Sequence, residues 1–160
     1  MSNFRKLSVA VAVILVAGGV GVQSAGARSA AAVTQPARLV PLTITSGKRE
    51  YAFKVEVART EAEQARGLMF RTRLGADRGM IFPMRPERFA SFWMKNTLIP
   101  LDMIFIRGDG TIASIAARAV PQSLAPVSSF EPVAAVLEIE GGRAALLGLK
   151  PGDRVTWNAH

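Results

Sequence analysis

The chain has 160 residues, no cysteine, one histidine at its last position and a formal net charge of +8. Without cysteine there is no disulfide, no thiol nucleophile and no cysteine-held zinc or iron–sulfur centre. A lone terminal histidine, His160, leaves no Ser-His-Asp triad, no histidine proton shuttle and no multi-histidine metal site.

In chain order, Arg5 and Lys6 precede an uncharged apolar run over 7–22, and Ala25-Gly26-Ala27 forms a small-x-small cleavage site. That is the layout of a secretory signal peptide. Its 16 residues are short against the roughly 20 that span a bilayer. The expected division is a signal peptide over 1–27, a flexible Ala-rich spacer over 28–37 and one β-rich domain over 38–160. The alternative is an uncleaved segment that anchors the chain to a membrane. Removing Arg5 and Lys6 leaves 18 basic against 12 acidic residues, or +6. Seven arginines fall between positions 59 and 88. In an exported protein that balance favours envelope polyanions or simple solubility over nucleic acid.

Residues 38–45 alternate and predict a first strand. Ser46-Gly47-Lys48 is a turn. In 50–58, Tyr51, Phe53, Val55 and Val57 share one face against Lys54 and Glu56, a half-buried strand closing a hairpin. Thr60 and Glu63 make a capping box for a short helix that Gly67 can close. Residues 79–84 predict a short strand that Pro83 ends or places at an edge, and Arg85-Pro86-Glu87 a turn. Residues 89–95 and 101–107 read as two more strands. Gly108-Asp109-Gly110 is a tight turn before a strand over 111–120. Residues 121–132, with three prolines, are the longest irregular loop. Strand 133–140, a helical turn over 143–147 stopped by Gly148, and a closing strand over 154–158 complete the chain. Strands joined by turns predict a mainly β fold: an antiparallel β-sandwich or open barrel of about eight strands with two short helices.

Gly67-Leu68-Met69-Phe70-Arg71, Gly79-Met80-Ile81-Phe82, Phe92-Trp93-Met94-Lys95-Asn96-Thr97 and Ile99-Pro100-Leu101-Asp102-Met103 resemble the family called domain of unknown function 192. Val136-Leu137-Glu138, Gly148 and Pro151-Gly152-Asp153 also fit it. The resemblance extends over about 39–157. It implies a compact, mainly β, often exported domain and carries no established activity. Ile81 stands where the family pattern often has leucine, a change that packing tolerates.

The stretch 92–107 sets Lys95, Asn96 and Asp102 among apolar residues, and it reads as two buried strands around a polar connector. Asp102 either caps backbone amides or pairs with Lys95 or an arginine, or else it contacts a ligand. Lys95 and Asn96 make either a well-formed turn or the mouth of a pocket, where Trp93 offers a flat face. Arg71 is either an ion-pair partner of Asp102 or Glu138, or a bidentate anion clamp. The candidate ligand-binding set is therefore Arg71, Trp93, Lys95, Asn96 and Asp102. Met69, Met80, Met84, Met94 and Met103 could in principle hold Cu(I), but they lie in apolar contexts without a M-x-x-M run and read as core.

These residues favour a monomeric, non-catalytic ligand-binding or accessory domain of the cell envelope, periplasmic or secreted. Its expected partner is a small-molecule or envelope ligand, with anions among the candidates. No cofactor, metal or nucleic acid is expected, and membrane contact only through an uncleaved N-terminal segment. The alternatives are a hydrolase of envelope glycans using Asp102 with Glu138 or Glu140, or a protein-interaction domain.

Overall fold

The computed structural model describes residues 39–158. The expected signal segment, the spacer and His160 lie outside these described residues. Nine strands and two short helices follow one another as β1 (Leu39–Ser46), β2 (Arg49–Val57), α1 (Glu61–Arg66), β3 (Arg78–Arg88), β4 (Ser91–Phe92), β5 (Leu101–Ile106), β6 (Ile112–Ala119), β7 (Val127–Ser128), β8 (Val133–Glu140), α2 (Arg143–Leu147) and β9 (Arg154–Trp157).

Seven strands form one sheet in the order β6-β5-β8-β3-β2-β1-β9, and β4 with β7 make a small second sheet. The large sheet does not close. Beyond its named strands, its two edges meet at an isolated bridge between Thr111 and Arg154. The mainly β, open architecture agrees with the sequence expectation. One pairing departs from the antiparallel pattern: β2 and β3 run parallel, with Val55 opposite Gly79 and Val57 opposite Ile81. The connection that makes this possible includes α1. Thr60 accepts the Glu63 amide at 3.2 Å, and the Glu63 carboxylate accepts the Thr60 amide at 2.8 Å. The capping box thus starts a six-residue helix that buries no side chain of its own.

The central strands are buried on both faces. Ile81, Leu137 and Ile104 point into one apolar cluster, and their neighbours Phe82, Val136 and Phe105 into another. This explains why β5 reads as an apolar run, interrupted by Asp102 alone, whose six residues are all buried. The β3–β8 contact is close at Gly79, where a Cβ would lie 2.6 Å from the Glu138 carbonyl oxygen. Gly79→Ala is therefore expected to force the two strands apart and lower stability by about 2 kcal/mol. Urea unfolding would check it, and an unchanged midpoint would contradict the close approach.

Three local expectations need correction. Pro83 does not end its strand: β3 continues to Arg88, and Pro83 lies opposite Ala135 in a central strand. The ladder tolerates it because the register shifts immediately afterwards, between Pro83 and Arg88. That shift also absorbs the expected turn at Arg85-Pro86-Glu87. Residues 89–95 form no long buried strand; only Ser91 and Phe92 pair, with Ser128 and Val127. These partners come from the segment expected to be wholly irregular.

Candidate functional site

Asp102 opens β5 and is fully buried. Its Oδ1 accepts the backbone amides of Arg118 and Gly142, each at 2.8 Å, and its Oδ2 accepts the Ala144 amide at 2.8 Å. Gly142, the residue before α2, supplies no side-chain cap itself. Asp102 therefore caps that helix from 40 residues away. Both of its oxygens are engaged within the fold.

Arg71 forms a two-pronged pair with Glu56, at 2.6 and 2.7 Å. Its acid is thus Glu56 on β2, in place of Asp102 or Glu138. Met94 to Thr97 is a turn, with the Thr97 amide donating to the Met94 carbonyl at 3.0 Å. Asn96 sits at its third position with φ 55°, as a type II turn requires. The Asn96 carbonyl accepts the Phe70 amide at 2.8 Å. Lys95 is exposed, and its Nζ lies 5.2 Å from the centroid of the half-exposed Trp93 ring. The connector is thus a turn beside the cleft described next, and it follows no buried strand.

The cleft has a volume of about 470 Å³, within the range of small-molecule sites. Leu68, Phe82, Met84 and Phe92 supply apolar walls. The Phe82 and Phe92 rings meet edge to face, with centroids 5.1 Å apart. The outward-facing Arg66, Arg88, Phe89 and Trp93 also line it. Of the five residues expected to bind a ligand, Trp93 alone lines this cleft. Arg71, Lys95, Asn96 and Asp102 do not converge on it.

Glu138, in contrast, lies deep in the cleft. Strand register sets Glu56, Met80, Glu138, Met103 and Ala116 in one row across five strands, so Glu138 is flanked by two methionines. It is 4% exposed. No described side chain or amide bonds to its carboxyl group, which stays open to the cleft. Burial pushes its pKa up to about 8. At neutral pH it is mainly a neutral acid, able to donate one hydrogen bond and accept others. It is the only carboxylate among the lining residues. Sequence reading noted Glu138 as one acid of a catalytic pair or as an ion-pair partner for Arg71, which pairs with Glu56 instead. The signal that marked it was a single acid inside the apolar run Val133–Ile139.

An open mixed sheet, a small second sheet and a cleft holding an acid that no described residue bonds define a β-rich domain with a small-molecule-sized cavity. The chain belongs to the DUF192 family, an uncharacterised ACR, whose model matches residues 42–157. A protein of unknown function from Novosphingobium aromaticivorans DSM 12444 is 48% identical in its crystal structure. The match covers 88% of this chain and 100% of that one, with a TM-score of 0.75. A Sinorhizobium meliloti 1021 protein described as a candidate transcription regulator is 40% identical. That match covers 77% of this chain and 96% of the other, with a TM-score of 0.74. No curated protein matches the chain.

Proposed function

We propose that this domain is a non-catalytic binding module that holds a small, largely apolar ligand in the cleft between Leu68, Phe82 and Phe92. The carrying observation is Glu138, a buried acid that faces the cavity and has no partner among the described residues. Buried polar groups are normally hydrogen-bonded, so an unmet carboxyl in a cleft is a group for a ligand to satisfy. A hydrolase of the two-carboxylate type has less support, because Asp102 is spent on three amides and no second acid lines the cleft. The N-terminal sequence pattern supports export, so this reading takes the module as periplasmic or secreted.

The uncharged dye N-phenylnaphthylamine provides the test. One dye per chain is expected to bind with enhanced fluorescence. Ala65 lines the cleft from the exposed surface of α1, and Ala65→Trp should fill the cavity and weaken binding about tenfold, or about 1.4 kcal/mol. Its melting temperature should stay at the parent value. No saturable dye binding, or equal binding by the variant, would overturn the reading.

A further inference from the structure

A second groove, of about 390 Å³, adjoins the cleft and shares Gln64 and Arg88 with it. Its character is different. Arg59, Arg85 and Arg88 line it against one acid, Glu61, so it is cationic where the cleft is apolar. Arg85 and Arg88 are exposed, and neither makes an ion pair among the described residues. The register shift in β3 produces this arrangement. Five steps from Pro83 to Arg88 face only two on β8, from Ala135 to Val133. The extra residues bulge out, and such bulges re-aim side chains. Met84 turns inward to line the apolar cleft, while Arg85 turns outward to line the groove. Arg88 lines both. The Gln64 side-chain amide donates to the Ala58 and Pro83 carbonyls at 3.3 and 3.2 Å, fixing the divide between them.

We infer that the two cavities take a single amphipathic anion, its acidic headgroup between Arg85 and Arg88 and its apolar body in the cleft. This rests on the cleft being a ligand site, and it adds the ligand's class. Guanidinium forks suit carboxylate and phosphate alike, so the headgroup chemistry covers both a fatty acid and a phosphate monoester. Apolar side chains, Leu68, Phe82, Met84 and Phe92 among them, make up the larger part of the cleft surface, which suits an apolar body. Because Gln64 and Arg88 line both cavities, the cationic groove and the apolar cleft lie side by side, within reach of one molecule.

Competition against bound N-phenylnaphthylamine tests the inference with three chains of equal length. Dodecanoate is expected to displace the dye at a concentration about tenfold below that of dodecanol, and dodecyl phosphate at least as well as dodecanoate. Raising salt should shrink the advantage of both anions, because the groove is open to solvent. An Arg85→Ala, Arg88→Ala double variant should bring dodecanoate to the potency of dodecanol, and Arg85→Ala alone, which leaves the lining of the cleft untouched, should narrow the gap with dye affinity at the parent value. Equal potency of dodecanoate and dodecanol on the parent chain overturns the headgroup assignment but leaves the cleft reading intact. So does retention of the anion advantage in the double variant. Failure of the dye itself to bind overturns the cleft reading, and the inference with it.

Discussion

An E138Q variant is expected to be as stable as the parent at acid pH and markedly more stable at pH 8. The folded carboxyl titrates near 8, against 4.5 for the unperturbed group. Below 4.5 the acid is protonated in both the folded and the unfolded chain, so its contribution to stability is complete there. Between the two values the unfolded chain releases the proton that the folded chain still holds. Folding then takes up a proton, and stability falls as pH rises, by up to about 1.4 kcal/mol per unit, until it levels off above 8. Glutamine has nearly the same shape and cannot ionise, so the slope disappears. Allowing for water reaching the carboxyl through the cleft, the difference at pH 8 should be on the order of 3 kcal/mol. Urea unfolding of both proteins at pH 4, 6 and 8 measures it. Parallel stability curves would show that Glu138 ionises normally and that the cleft is wet. A domain that keeps so costly a group in place does so against stability, which is the usual mark of a binding or reacting group.

The parts of this fold that were readable from sequence are those fixed by local chemistry. The Thr60–Glu63 capping box, Gly148 after α2 and the alternation in β2 each state their structure within a few residues. The buried run over 101–106 was readable because two-sided burial leaves Asp102 as its single polar residue. What failed depended on distant partners. Residues 89–95 have strand composition, yet their amides go elsewhere: Met94 donates to Ser123, and Asn96 accepts from Phe70 across the chain. Pro83 reads as a strand end, but a register shift in the partner strand accommodates it. The parallel β2–β3 pair could not be inferred from a linker that also fits an antiparallel meander. Glu138 was the hardest to interpret. Alternation places it on the face of Val136 and Glu140, which would ordinarily be a solvent face. It becomes the inner part of a cleft only because the segment around Leu68 and the β4 region cover that face. Asp102 meets the capping alternative that its sequence context offered beside ligand contact. Its odd position among apolar residues is real, but the demand it meets is for three backbone amides, one from β6 and two around the start of α2.

That demand makes Asp102→Ala the second large effect. Alanine leaves the Arg118, Gly142 and Ala144 amides without the acceptor that the fully buried Asp102 supplies. Each unmet buried donor costs about 1–3 kcal/mol, less where water can enter. Gly142 and Arg118 are partly exposed and will recover part of their loss, whereas Ala144 is buried. A net destabilisation of about 4 kcal/mol follows, in line with removal of a buried charged acceptor. Asp102→Asn separates the two oxygens. Its single carbonyl can replace Oδ1 and serve Arg118 and Gly142, but its NH₂ then faces the Ala144 amide, donor against donor. The asparagine variant should lose roughly half as much, about 2 kcal/mol. Hydrogen exchange locates the effect. In Asp102→Asn the Ala144 amide should lose protection while those of Arg118 and Gly142 keep theirs. Dye binding at low temperature should survive in the same variant, because Asp102 does not line the cleft. If Asp102→Asn abolished dye binding in a folded protein while leaving stability unchanged, Asp102 would be a ligand contact and its capping role would be incidental.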